Sequence, residues 1–251
     1  MQTLMDILVI ARRDLIRAVR EKSRFYASVV RPVIWLFLLG TGLRGGFASQ
    51  LPPGLDMRQF IFPGMIAMNI LFAGVQSGVS IIWDREFGFL KEIMVAPVSR
   101  LSIAWGKTLS GSLTALLQGG IVLALFPFLS LRLAADRILI ALPAMFVVAL
   151  TVTSLGILLA ARMRSFEGFG TVNNFIVMPM FFLSGAMYPT SGIPGWLKAI
   201  TALNPLTYGV DLLRGVVLGL QARYALDLAV LLACAALVLG AAAVLFQREG
   251  R

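Results

Sequence analysis

The chain contains no histidine. That removes the usual imidazole base, proton shuttle and zinc ligand, so His-based triads and most zinc chemistry are excluded. One cysteine, Cys234, sits in an apolar run, so no intramolecular disulfide can form and the thiol reads as packing. Charge is scarce: Asp, Glu, Lys and Arg make up 14% of residues, against about 25% in a soluble domain. Acid is scarcer than base, 12 residues against 22, which leaves a net charge of +10. What fills the space is apolar, with 59% hydrophobic residues and a mean hydropathy of +0.88. A chain of 251 residues with this balance reads as an all-α polytopic membrane protein. The basic excess then fits cytoplasmic loops facing anionic membrane lipids, with no nucleic-acid partner.

Six stretches are apolar enough, over sufficient length, to cross about 30 Å of hydrocarbon. They are roughly 27–43, 60–83, 102–128, 138–160, 169–187 and 225–246. Ahead of them, Asp6, Asp14 and Glu21 interrupt any cleavable signal. Over 1–25, Leu4, Leu8, Ala11, Leu15 and Val19 form one helical stripe, and Arg13, Arg17 and Arg20 fall on another face. That pattern predicts an amphipathic helix lying in the membrane interface. With six spans, fifteen of the 22 basic residues fall on the side that holds both termini, and the positive-inside rule makes that side cytoplasmic.

Between the second and third spans lies Trp83–Arg100, which carries Asp84, Arg85, Glu86, Lys91, Glu92 and Arg100. Each charge would cost roughly 2.5–3.5 kcal/mol at a bilayer centre, so the segment is expected in the cytoplasm. It is not an ordinary polar loop. Phe87, Leu90, Ile93 and Met94 recur at helical spacing, and Pro97 ends the run. An amphipathic helix over 84–100, held beneath the membrane, is suited to docking a partner.

The stretch 188–224 is too polar for further spans and too apolar for a free loop. Ile193, Trp196, Leu197, Ile200 and Leu203 form one stripe, Asn204-Pro205 breaks it, and Leu206, Val210, Leu213, Val216 and Val217 form another. We expect two short re-entrant helices in the outer leaflet, with Asp211 and Arg214 as neutralising i,i+3 partners. Nearby Phe175, Phe181, Phe182 and Tyr188 could line a path for an apolar substrate or simply fill the core.

Chemistry-bearing motifs are near-misses. Trp105-Gly106-Lys107-Thr108 ends like a phosphate loop, but the required earlier glycine is Leu101 and no strand precedes it. Lys107 is expected to snorkel at the cytoplasmic mouth of span three. No residue set reads as catalytic and none as a metal site. Gly74-x-x-x-Gly78 permits close helix packing, which we expect within one protomer. An ion-coupled carrier or channel is the alternative reading, and it would rest on Asn69, Gln76, Gln118, Asn173 and Asn174.

Two stretches carry a resemblance. Arg85-Glu86-x-Gly88-x-Leu90-Lys91-Glu92 followed by Ala96-Pro97-Val98 resembles the signature between spans two and three of ABC type-2 exporter permeases. So does the region with Leu183-Ser184-Gly185, Met187-Tyr188-Pro189, Leu203-Asn204-Pro205-Leu206-Thr207-Tyr208 and Asp211-Leu212-Leu213-Arg214. The chain looks most similar to the drug-resistance and nodulation-factor export branch. The resemblance implies a single transmembrane domain over 1–251 in a bacterial inner membrane, dimerising with a second copy. It implies two separate ATP-binding subunits that hold ATP and Mg, with no cofactor in this chain. It makes Arg85, Glu86, Phe87, Leu90, Lys91 and Glu92 the coupling residues, with Arg13, Arg17 and Arg20 on the interfacial helix as the second contact. Phe181, Phe182, Tyr188, Asn204 and Tyr208 become the substrate path and outer gate, and the cargo an amphipathic, lipid-like or glycan molecule moved outward.

Overall fold

A computed structural model describes residues 2–20, 22–42, 51–87 and 100–248, apart from positions 53, 130, 132 and 164. Among these residues all regular structure is helical. Helix α1 is Gln2–Arg20 and α2 is Lys22–Gly42. Then α3, Met57–Gln76, leads through a turn at Ser77 and Gly78 into α4, Val79–Glu86. Next come α5, Arg100–Leu123, α6, Ala135–Arg162, and α7, Phe166–Phe182. Two shorter helices, α8 (Gly195–Leu203) and α9 (Pro205–Leu218), precede α10, Tyr224–Arg248.

Among the described residues, three helical stretches are long and apolar enough to cross a membrane: Met57–Glu86, Ala135–Arg162 and Tyr224–Leu245. They occupy the second, fourth and sixth expected spans. The third and fifth expected spans are also helices, but they fall short of that standard. In α5 the cause is its own polar content, Lys107, Ser110, Thr114 and Gln118 among it. α7 has 17 residues, about 26 Å at 1.5 Å each.

The Met57–Glu86 stretch forms the centre of the bundle. In its most apolar window 72% of residues are buried, against 28% for the peripheral Tyr224–Leu245. Ile61, Phe62, Met65, Ile66, Ile70 and Leu71 are fully buried there. The start of α3 is fixed by a capping box: Asp56 accepts from the helix and Gln59 answers the Asp56 backbone N–H. Within the bundle the Gly74-x-x-x-Gly78 face lies against α6 of the same chain. A Cβ on Gly74 would strike Val152 and Thr153, and one on Gly78 the Gly156 carbonyl. The glycines therefore bring α3 and α6 backbones into contact inside one protomer.

Several polar side chains inside this bundle bond to backbone. Asn69 donates to the Gln118 carbonyl at 2.9 Å, and Thr151 bridges to the Leu231 carbonyl at 3.0 Å. Ser112, Thr114 and Ser154 return their hydroxyls to carbonyls one turn back.

Candidate functional site

Residues 88–99 lie outside the described residues, and with them Leu90, Lys91 and Glu92. The two ends of the charged segment are described, and they meet at one place. α1 packs along α5 at Gly106, where a Cβ would strike Ile10. The next residue, Lys107, points inward between α1 and α4. Its Nζ lies 2.8 Å from Asp14 Oδ2, bonds Asp84 Oδ2, and reaches Ser80 Oγ at 3.3 Å. Arg13 closes the set, donating from Nη2 to Asp84 Oδ2 at 3.0 Å and from Nε to Asp14 Oδ1 at 2.9 Å.

Two carboxylates and two cations thus form a charge-balanced cluster drawn from three helices. The Lys107 side chain has 0% exposure, against 6% for Asp84 and 9% for Asp14. The expectation that Lys107 snorkels to the surface is therefore corrected. Burial without partners would be prohibitive, and the two carboxylates supply them. Burial alone would pull the Arg13 pKa down, but Asp14 and Asp84 outweigh it and raise it above the ordinary value.

The residues around Asp84 are also tied to the bundle. Trp83 stacks on Phe87 with centroids 4.9 Å apart, tilts against Phe166 at 5.2 Å, and lies under the Arg17 guanidinium. Arg85 turns back to the end of α6, donating to the carbonyls of Met163 and Ala161. A helix end has unpaired carbonyls, and Arg85 satisfies two of them. Of the six residues expected to meet a partner, Arg85 is thus held within the chain. Glu86 is exposed, and Phe87 is 70% exposed at the point where the described backbone stops. On α1, Arg13 belongs to the buried cluster, Arg17 covers Trp83, and Arg20 is exposed.

Sequence reasoning passed over Asp14, Asp84 and Lys107 as a unit. The signal was available: a lone acid among arginines in α1, an acid closing span two, and a lysine two turns into span three.

At the other end of the bundle, the residues expected as an outer gate separate. Phe181 is buried in the core, whereas Phe182, 5.4 Å from it, is partly exposed, and Tyr188 is half-buried. Asn204 works as a joint. Its Oδ1 accepts from Leu206 N as the cap of α9, and its Nδ2 donates to the Met180 carbonyl in α7. Tyr208 donates its hydroxyl to the Ala202 carbonyl at 2.8 Å, closing α8 onto α9. The expected i,i+3 partnership holds only at a distance: the Asp211 charge acts on Arg214, but the two do not form a close ion pair. Arg214 donates to the Gly185 carbonyl at 2.9 Å and lies 4.0 Å over the Phe60 ring. The Asp211 carboxyl meets Asp227 of α10 instead.

Residues 5–218 match the family described as ABC-2 type transporter. The chain belongs to that family. Its membership places it among the transmembrane subunits of ABC transporters, as a multi-pass membrane protein. A "Putative transport permease ycf38" from Cyanophora paradoxa is 27% identical over 211 residues, covering 83% of this chain and 73% of that one. "Nodulation protein J" from Rhizobium leguminosarum bv. viciae is 29% identical over 197 residues, 76% of this chain and 74% of that one. "Probable multidrug ABC transporter permease YbhR" from Escherichia coli (strain K12) is 28% identical over 169 residues, 66% of this chain and 45% of that one. The match takes in α1, the charged segment, both ends of the buried cluster and the α8–α9 hairpin.

Proposed function

We propose that this ABC-2 permease is the membrane half of an exporter, paired with a second copy and driven by two separate ATP-binding subunits. Those subunits hold the ATP and Mg. In this reading both termini and the α1 face lie in the cytoplasm of a bacterial inner membrane, and six spans cross it. α8 and α9 lie in the outer leaflet as re-entrant helices. The segment 84–100 docks the ATP-binding subunit through Glu86, Phe87, Leu90, Lys91 and Glu92. Arg85 fixes the base of that segment to α6. Arg17 and Arg20 on α1 give a second contact, and Arg13 holds α1 in place.

The observation that carries this reading is the Asp14–Asp84–Lys107–Arg13 cluster at the root of the docking segment. A docking helix transmits motion only if its base is rigid. Here α4 and α5, the helices that enter and leave the segment, are clamped to each other and to α1 by buried ion pairs. Closure of two ATP-binding subunits would then move these helices together, rocking the bundle between inward-open and outward-open states. The exposed charges would orient docking and Phe87 with the apolar stripe would give adhesion. The cargo is an amphipathic, lipid-like or glycan molecule, leaving past Phe182, Tyr188 and Tyr208. The ion-coupled alternative wants charged or polar residues at mid-span, and of those offered Asn69 is spent on the Gln118 carbonyl.

The test is Glu86→Lys combined with Leu90→Asp, expressed with the cognate ATP-binding subunit. The expected result is normal insertion, loss of copurification with that subunit, and loss of ATP-driven export. Normal export by the double variant would overturn the docking assignment. Export driven by an ion gradient without ATP would overturn the whole reading.

A further inference from the structure

On the flank of the bundle, α6, α9 and the start of α10 enclose a groove of about 560 Å³, within the range of small-ligand sites. α6 and α9 run antiparallel along it. Gly219, just past the end of α9, lies under the Arg137 guanidinium, and Gly209, nearer the start of α9, lies against Val148. The walls are apolar: Ile140, Ala144 and Val147 on α6, Leu212 and Val216 on α9, and Leu228 on α10. The charged residues of the lining, Asp136 and Arg137, stand in the first turn of α6 at one end of the groove, and Tyr224 begins α10 at the same end. The Arg137 side chain is exposed, and among the described residues none accepts a hydrogen bond from its guanidinium.

The dimensions select the occupant. From Arg137 to Val147, α6 rises about 15 Å, half of the ~30 Å hydrocarbon core, so the groove is one leaflet deep. α6 and α10 are both able to cross a membrane, and both begin at the charged end, which sets that end at headgroup level. Leu139 and Leu142 beside the groove, and Leu232 on α10, are exposed apolar residues, as on a wall that faces hydrocarbon. A helix about 10 Å wide laid along the groove would fill about 1,200 Å³, roughly twice the space present. One hydrocarbon chain is thin enough. At the mouth, a guanidinium can donate two parallel N–H bonds to a phosphodiester. Asp136 beside it opposes a headgroup of net negative charge and can accept from an ammonium. We propose that the groove holds one phospholipid with a zwitterionic ethanolamine headgroup, its acyl chain between α6, α9 and α10, its phosphate on Arg137 and its ammonium at Asp136. The deep end is closed where Gly209 meets Val148, so this lipid is a resident of the groove and not cargo in transit. The proposal needs only that the chain crosses a bilayer, and it stands apart from the export reading.

The test uses the full chain, stripped of lipid in detergent, with native mass spectrometry counting what stays bound. The probes are dioleoyl phosphatidylethanolamine, dioleoyl phosphatidylglycerol, dioleoylglycerol and phosphoethanolamine. Saturable binding of one phosphatidylethanolamine per chain is expected. Phosphatidylglycerol and dioleoylglycerol should each bind roughly tenfold more weakly, and phosphoethanolamine, which has no acyl chain, should not compete. Arg137→Gln should weaken phosphatidylethanolamine roughly tenfold, and Arg137→Lys should regain most of that. Val147→Phe, which fills the deep end, should weaken every lipid alike, whereas Leu139→Trp, outside the groove, should change nothing. The proposal is overturned if phosphatidylglycerol or dioleoylglycerol binds as tightly as phosphatidylethanolamine, if phosphoethanolamine displaces it, or if a folded Arg137→Gln or Val147→Phe chain binds like the parent. It is also overturned if a second copy covers the groove, read as cross-linking between two chains through Ile140→Cys in a Cys234→Ala background in nanodiscs.

Discussion

Replacing Lys107 by Met removes the fully buried cation of the cluster and leaves Asp14 and Asp84 facing each other with only Arg13 between them. At 4 Å and an effective dielectric of 20, one unit-charge pair is worth about 4 kcal/mol, so the two lost pairs amount to roughly 8 kcal/mol gross. Most of that is offset in the native protein by the cost of desolvating three ions. Removing one partner of a buried set nets about 3–5 kcal/mol. Arg13 still touches both carboxylates and is 37% exposed, so it can relax toward them. The expected loss is therefore near the lower bound, about 3 kcal/mol. Reversible SDS titration, followed by tryptophan fluorescence, measures it, and Trp83 beside the cluster reports locally. Adding Asp84→Asn to Lys107→Met removes one stranded charge and should recover more than about 1 kcal/mol of the loss. Lys198→Met, at an exposed position on α8, should stay within about 0.5 kcal/mol of the parent. A Lys107→Met chain as stable as the parent, or a double variant no better than the single one, would refute the claim that the cluster is a coupled buried unit.

Three further substitutions probe the packing that positions both ends of the bundle. Gly78→Val should cost about 1–3 kcal/mol in the same titration, because its side chain meets the Gly156 carbonyl, whereas Gly240→Val, with open space around it, should be neutral. Asn204→Ala removes the cap of α9 and the bond to the Met180 carbonyl, so a loss of about 1–2 kcal/mol is expected, with faster amide exchange at Leu206. Gly219→Ala places a Cβ at φ 70° against the Arg137 guanidinium and should cost about 1–2 kcal/mol, read as earlier fraying of the α9 end.

The helices were legible because burial and periodicity act along the chain. The stripes in 188–224 foretold α8 and α9, and Asn204-Pro205 foretold the break, since an Asn cap followed by Pro at the first helical position is a local signal. The spacing of Gly74 and Gly78 on one face foretold a close helix contact, and the structure makes that contact with α6 of the same chain. The span standard was less legible, because α5 keeps polar residues whose hydroxyls bond its own carbonyls, and these lower its hydropathy while Asn69 of α3 bonds the Gln118 carbonyl. The buried cluster was illegible from single stretches. Asp14, Asp84 and Lys107 are 70 and 23 residues apart, and each alone fits a solvated end of a helix. Lys107 looked like a snorkelling lysine because that is the cheapest fate for a lysine near a membrane surface. Two acids brought in from other helices make burial cheaper still. The same limit applied to Asp211, whose sequence neighbour Arg214 was the obvious partner until α10 brought Asp227 alongside.

The cluster also closes a circuit in the chain. The Asp84–Lys107 pair joins α4 to α5, the helices on either side of the docking segment. Helices clamped together at the root of that segment have fewer ways to bend apart, so a displacement passed into one is passed into both. Arg13 and Asp14 add α1 to the same base. Separate hinges at the ends of α4 and α5 would instead let the tip move while the bundle stayed still. Exchanging the charges, Asp84→Lys with Lys107→Asp, distinguishes the two arrangements. It keeps the pair between α4 and α5 but sets a lysine against Arg13 and an aspartate against Asp14. Under the clamped arrangement, α1 should loosen from α5 while α4 and α5 stay joined, and disulfide trapping between cysteines placed on α1 and α5 should fall. Unchanged trapping would mean that packing around Gly106 alone holds α1, and the cluster would then join only two helices.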